Sequence, residues 1–395
     1  MSLVRQLPAY SPITLRAVLT AGRALLGGSA ASRRTLEELL LTEFQPRRLA
    51  LLDSGTSALA VAIRLSGPAG GVPVVALPAY GCYDLATAAD MAGAQVVLYD
   101  LDPATLGPDA VSLEAALAQG VSALVVAHLF GIPVDLEALR PLASAAGAVL
   151  IEDAAQAVGA RYRGRLLGTL ADAGVLSFGR GKGRTGGHGG ALIAYQQGIA
   201  DRLATEPVPG QGGGVGEYVM LKAQWLLGRP AVYGLLASVP QLGLGQTVYR
   251  APHPVRGLSP VAAGALVSTW PLEPEETAQR RQTANRLLER LADHPRFRVP
   301  RAPEASEPGY LRLPVVAEGP SDPPFETAAA LRLGIMPGYP SALCDLERFR
   351  HRIINAGGTF PGARLLAARL GTLPTHSRLR ERHVVALTSW LDRLR

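Results

Sequence analysis

Between about residues 35 and 195, short apolar runs alternate with stretches whose apolar positions recur every three or four residues. The runs predict strands at Arg48–Leu52, Val74–Leu77, Ala94–Tyr99, Ser122–His128, Ala148–Glu152, Ala173–Phe178 and Ala191–Ala194. The intervening patterns predict helices at Ser57–Leu65, near Tyr83–Ala92, and at Ser112–Ala118 and Leu136–Ala146. Strands separated by helices imply an α/β fold with a mostly parallel central sheet between helices. Sites in such folds lie at the carboxyl ends of strands, where Asp53, Pro78, His128, Asp153 and Ser177 fall.

The pattern changes downstream. Pro207–Gly216 is rich in Gly and Pro, and Pro230–Tyr249 is uncharged but broken by Gly234, Pro240, Gly243 and Gly245. A charged helix is expected at Glu273–Asp293, then a strand at Leu311–Val316 and helices near Glu326–Leu333 and Arg378–Leu394. The expected organisation is an N-terminal segment (1–34), a large domain (35–204), an atypical insertion (205–257) and a smaller C-terminal α+β domain (258–395). The breaks within 230–249 argue against a spanning helix; a shallow membrane or partner contact there stands as the alternative.

Composition narrows the class. The chain has 395 residues, of which 48% are hydrophobic and 18% charged, as expected of a globular enzyme-sized protein with a large core. Its net charge of +7 fits either a general preference for Arg or attraction of an anionic substrate. No Lys/Arg run is interleaved with aromatics, which argues against nucleic-acid binding. Cys82 and Cys344 make neither a disulfide framework nor a metal site, so no metal is expected and a reducing cytoplasm fits. Arg16 and Arg23 interrupt the apolar stretches that a signal peptide would need.

The candidate chemistry centres on Ser177-Phe178-Gly179-Arg180-Gly181-Lys182-Gly183, which runs on to Gly189-Gly190. Lysine is scarce in this arginine-rich chain, and arginine cannot form a Schiff base because it stays protonated. A lysine among glycines, downstream of Asp153 on an apolar strand, suits pyridoxal phosphate: the aldehyde needs an amine and the ring nitrogen a carboxylate. Lys182 is therefore the candidate catalytic amine and Asp153 the partner of the ring nitrogen, with a helix N-cap as the rival reading of Asp153. Gln156, one helical turn on, is expected on the same side against the ring oxygen. Gly55, Thr56 and Ser57 open a helix after a strand and suit a phosphate, with Ser177 as a second phosphate contact. Tyr80 and Tyr83 compete to stack on the ring, and both also fit plain packing.

Together these residues resemble the DegT/DnrJ/EryC1/StrS family of sugar aminotransferases, from about residue 35 onward. Ser54-Gly55-Thr56-Ser57-Ala58-Leu59 looks like the family's phosphate-binding turn, and Ala127-His128-Leu129-Phe130-Gly131 like its strand-end element. Glu152-Asp153-Ala154-Ala155-Gln156-Ala157 and the lysine loop match its cofactor segments. Gly334-Ile335, Tyr339-Pro340, Phe360-Pro361-Gly362-Ala363 and Leu373-Pro374 look like its C-terminal landmarks. The resemblance implies fold type I, a homodimer and transfer of an amino group, typically from glutamate to a nucleotide-linked keto sugar. Lys182 argues against the family's dehydratase branch, where histidine replaces the lysine.

The departures concern substrate. His188 stands where the family has an acid, and His-Pro-Val-Arg-Gly-Leu-Ser (253–259) replaces its Asn-Tyr-Arg-Met stretch, with Arg256 as a candidate phosphate contact. Cys344 replaces its usual histidine. His188, Arg256 and Tyr339 are the candidate substrate residues. A pyridoxal phosphate enzyme acting on a non-sugar carbonyl (transaminase, lyase or condensing enzyme) and a non-catalytic regulatory member remain as alternatives.

Overall fold

The computed structural model describes residues 5–207, 210, 213–237 and 247–395. Its first half holds α1 (Leu15–Arg23), α2 (Ser29–Phe44), β1 (Arg48–Leu52), α3 (Gly55–Ser66), β2 (Val74–Pro78), α4 (Asp84–Met91) and β3 (Gln95–Tyr99). Next come α5 (Ala110–Leu117), β4 (Ala123–Ala127), α6 (Leu136–Ala145), β5 (Val149–Asp153), β6 (Arg161–Tyr162), β7 (Arg165–Leu166), β8 (Ala173–Ser177), β9 (Gly190–Ala194) and α7 (Gln197–Thr205). The central sheet has seven strands in the order β1-β9-β8-β5-β4-β2-β3. β3, β2, β4, β5 and β8 pair parallel, whereas β9 runs antiparallel to both its neighbours.

Burial explains the apolar runs. Every residue of β4 is buried, because helices cover both faces of a parallel sheet. Each large aliphatic side chain placed there contributes about 1.5–3 kcal/mol relative to exposure. Short polar side chains start the helices: Ser54 caps α3, Asp109 caps α5 and Asp135 caps α6.

The second half holds α8 (Val215–Leu227), α9 (Pro230–Ala237), α10 (Pro260–Thr269), α11 (Glu273–Leu291), β10 (Phe297–Arg298), β11 (Ser306–Glu307) and β12 (Leu313–Ala317). It ends with α12 (Ala328–Arg332), β13 (Met336–Pro337), α13 (Pro361–Arg369), β14 (Leu370–Leu373) and α14 (Glu381–Asp392). An antiparallel four-stranded sheet, β10-β12-β14-β13, packs Phe297 against Phe325 and Trp390, with ring centroids 5.8 Å apart in both pairs. Asp100, just past β3, accepts from the Gly362 and Ala363 amides at 2.8 and 2.7 Å. That carboxylate sits at the start of α13 and ties the large sheet to the C-terminal elements.

One feature differs from the sequence reading and two add to it. The N-terminal segment carries α1, whose buried Ala17, Val18 and Ala21 pack on α10. Asp153 opens no helix: residues 154–160 form tight turns, closed by Ala157 N–H to Ala154 O and Ala160 N–H to Ala157 O. Pro230–Tyr249 begins as α9, while residues 238–246 lie outside the described residues. Among the described residues, no helix is long and apolar enough to cross a membrane.

Candidate active site

The carboxyl ends of β1, β2, β5 and β8 lie along one edge of the sheet, and a single small cavity opens there. Gly55, Thr56, Cys82, Asp84, Asp153, Gln156, Ser177 and Lys182 line it, and its volume is about 40 Å³. That is room for on the order of three waters, so the chemistry of the walls defines the site better than its volume does. A larger concavity, about 1260 Å³ between Asp102, His294 and Arg369, contains none of these groups.

One wall is the start of α3. The Ser54 hydroxyl accepts from the Ser57 amide at 3.0 Å and meets the Ser57 hydroxyl at 3.0 Å. Ser57 is thus turned into the cap and fully buried, while Gly55 and Thr56 face the cavity. Gly55 is required by close approach: a Cβ there would lie 2.7 Å from Ser177 Cβ. Gly190 is required likewise, since its Cβ would lie 2.5 Å from the Gly55 amide nitrogen. Two strand ends and a helix start therefore meet with no side chain between them. The result is a cradle of helix N-terminus and hydroxyls of the kind that binds phosphate.

The opposite wall carries the charged groups. Asp153 ends β5, and its Oδ1 accepts from the Ala155 amide at 3.0 Å, the local bond that replaces the expected helix. Burial raises the Asp153 carboxyl above its ordinary range, while the Ala155 amide, Lys182 and His128 pull the other way. A cationic ring nitrogen beside it would offset that burial. Gln156 accepts from the Phe130 amide at 3.1 Å and donates to the Tyr339 hydroxyl at 2.8 Å, so both ends of its amide are fixed. Behind Asp153, Glu152 is fully buried and accepts from His128 Nε2 at 2.9 Å and from the Gly168 and Leu170 amides. His128 Nδ1 accepts from the Val134 amide at 3.1 Å, which places the ring's proton on Nε2.

The loop bearing Lys182 is stapled at several points. Ser177 pairs with Gly190 where β8 and β9 meet, and the Gly181 amide donates to Ser11 Oγ at 2.7 Å. Arg184 reaches Glu43 at 3.0 Å and Glu273 at 3.2 Å, and lies 3.7 Å from the centre of the Trp270 ring.

Other expected residues lie outside this lining. Tyr83 is buried, with its hydroxyl 2.6 Å from Ser341 Oγ, and the Tyr80 hydroxyl accepts from the Tyr339 amide. Cys82 lines the cavity instead; burial pushes its thiol up to about 12, so it is neutral near pH 7. Sequence reasoning passed over Cys82 by seeking an aromatic in the same motif. Tyr339 touches the site only through Gln156. His188 Nε2 lies 2.9 Å from Ser259 Oγ and 2.9 Å from Glu217 Oε2, joining the lysine loop to α8 and α10. No motif flagged Glu217. Arg256 is exposed, and its contact with Asp53 is through backbone.

An amine, a half-buried carboxylate, an anchored amide and a helix-start cradle around one cavity form the donor set that pyridoxal phosphate needs, and the residues fit that group. Comparison with known proteins agrees. The chain is 34% identical over 214 residues to the L-glutamine:2-deoxy-scyllo-inosose aminotransferase of Streptoalloteichus tenebrarius, covering 50% of each chain. It is 31% identical over 295 residues to the enzyme of that name from Streptomyces paromomycinus, covering 72% of this chain and 64% of that one. The chain thus spans about half to two thirds of the length of these relatives. The structure of AtS13 from Actinomadura melliaura superposes with a TM-score of 0.75 at 21% identity, over 98% of both chains, and shares the fold. Residues 14–219 match the model of the DegT/DnrJ/EryC1/StrS aminotransferases, whose members depend on pyridoxal 5′-phosphate, and the chain belongs to that family.

Proposed function

We propose that this protein is a pyridoxal phosphate-dependent aminotransferase that moves an amino group from glutamine or glutamate to the carbonyl of a polyhydroxylated ring, either a keto sugar or a keto cyclitol. The gathering of Lys182, Asp153, Gln156, Ser177 and the start of α3 around one cavity carries this reading. The acceptor class is drawn from the names of its relatives, the inosose aminotransferases.

When bound, the cofactor supplies an aldehyde that captures amines and a ring that accepts electrons. Lys182 Nζ would hold the cofactor's aldehyde and would carry the substrate's α-proton as general base and acid. Asp153 keeps a proton on the ring nitrogen. Gln156 orients the ring oxygen, and its bonds to Phe130 and Tyr339 prevent it from rotating away. Thr56, Ser177 and the first amides of α3 hold phosphate. The neutral Cys82 thiol offers no competing nucleophile.

The test uses purified protein loaded with pyridoxal phosphate. Wild type should show a visible band above 400 nm that L-glutamine or L-glutamate bleaches and a keto cyclitol or keto sugar restores, with an aminated product seen by mass. Lys182→Ala should lack the band. A band that persists in Lys182→Ala, or a wild type that neither amino acid bleaches, overturns the proposal.

A further inference from the structure

Another cavity, of about 220 Å³, reaches the lysine loop at Arg180 and Gly181. Its walls are the N-terminal strap Leu7–Ser11, the Arg180-Gly181 step, α8, α9 and the residues before β12. Its polar side chains are those of Arg180, Arg312, Tyr10, Tyr233, Gln224 and Ser11. Among the described residues, no carboxylate lines it.

Some arginines at element junctions meet backbone carbonyls, as Arg202 and Arg280 do, and others meet acids: Arg184 with Glu43 and Glu273, Arg281 with Glu307, Arg352 with Asp90. Among the described residues, neither Arg180 nor Arg312 forms such a pair. Arg312 Nε is buried without a hydrogen-bond acceptor, and Gln224 Oε1 is buried without a donor. The fields of Arg5, Arg180 and Arg312 all reach the Tyr233 phenol. Two guanidinium-bearing residues on one cavity with no carboxylate beside them suit a ligand bearing an oxyanion.

The cavity also adjoins the cofactor site. Arg180 lies two residues from Lys182, so their Cα atoms are within about 7.6 Å. The Arg312 guanidinium lies 5.9 Å from the centre of the Phe130 ring, which stacks at 5.8 Å on Tyr339, the partner of Gln156. The walls are pinned: Gly181 to Ser11, His376 to Leu7 and Gln224 Nε2 to the Gly187 carbonyl at 3.0 Å.

We infer that this cavity is the docking site for the anionic group of a substrate, a carboxylate or phosphate, held by Arg180 and Arg312 while the reacting carbon faces Lys182. The inference rests on the proposed aminotransferase reading for the identity of the substrate, and on the cavity alone for anion binding.

The experiment compares wild-type holoenzyme with Arg180→Gln and Arg312→Gln, the exposed Arg180 serving as the change that leaves folding undisturbed. Calorimetry with inorganic phosphate and with UDP measures anion binding without turnover. The half-reaction with L-glutamine measures donor binding. If the carboxylate of the donor docks here, half-saturation by L-glutamine rises about 10- to 100-fold in both variants with a limiting rate within threefold of wild type. If a phosphate of the acceptor docks here, the donor reaction is unchanged and UDP affinity falls by the same factor. Arg180→Lys, which restores charge, should recover part of either loss. The inference is overturned if L-glutamine half-saturation and the affinities for phosphate and UDP all stay within twofold of wild type in both variants. A wild type that binds phosphate at Arg180 and Arg312 but does not bleach with any amino acid would sink the aminotransferase reading and leave the anion site standing.

Discussion

His376 Nε2 lies 2.8 Å from the carbonyl oxygen of Leu7, a bond that spans 369 positions and fastens the N-terminal strap to the C-terminal elements. His376 Nδ1 is buried and meets no partner, so the ring is neutral and a second proton would enter an unfavourable place. Burial is the largest influence and pushes this histidine down from 6.5 to about 4, against the opposing pull of the Leu7 carbonyl. The unfolded chain binds a proton here below about 6.5, whereas the folded chain does so only near 4. The contribution is therefore fully present above pH 6.5 and is lost as pH falls toward 4, to the extent of about 3 kcal/mol. Urea unfolding at pH 7.5, 6 and 5 should show this slope. His376→Gln, which keeps a donor for Leu7, should flatten it by about one proton, and equal slopes in the two proteins would contradict the assignment.

Gly55→Ala should strain the cradle. The new Cβ meets Ser177 Cβ at 2.7 Å and Oγ at 3.0 Å. Overpacking of this kind costs about 1–3 kcal/mol. Adding Ser177→Gly should recover most of that stability, because the two sites share the contact. Thermal unfolding of the two single variants and the double variant gives the coupling. Phosphate-group retention should stay impaired in the double variant, which lacks the hydroxyl.

Tyr339→Phe keeps the ring between Tyr80 and Phe130 but removes the acceptor of the Gln156 amide. An unpaired donor there costs about 1–3 kcal/mol. The larger effect should appear in the loaded protein, as a shift of the visible band and a fall in kcat with little change in KM. A variant with wild-type spectrum and rate would show that Tyr339 is not needed to hold Gln156.

Glu152→Gln replaces one acceptor oxygen with a donor, where His128 and two backbone amides all donate. Leaving a fully buried donor without its acceptor should destabilise the protein by about 1–3 kcal/mol. Chemical denaturation reads this directly, and a loss below about 1 kcal/mol would mean that the network relaxes around the amide.

Much of this site was legible as sequence because its elements are periodic and its chemistry is local. The seven strands of the large sheet read correctly from short apolar runs, since a sheet covered on both faces leaves no polar alternation to confuse them. Gly55, Thr56, Asp153, Gln156, Ser177 and Lys182 share the cavity because each lies at or just past a strand end. What escaped the reading depends on contacts distant in sequence. The helix expected after Asp153 gives way to turns closed by the Asp153–Ala155 bond. Ser57 looks like a ligand in one dimension but is buried within the cap it shares with Ser54. Glu217 meets His188 only because α8 folds back on the lysine loop, and the unpaired Arg312 is visible only when its surroundings are known.

The reversal of β9 separates two properties that a continuing parallel crossover would couple. Ser177 and Gly190 face each other at the base of an excursion whose tip bears Lys182. The proposed phosphate seat is fixed by sheet register, whereas the reach of the amine is set by the length and turns of the tip. Where the amine arrives is set by the bonds of the tip itself, Gly181 to Ser11 and Arg184 to Glu43 and Glu273, none of which passes through the Ser177–Gly190 pair.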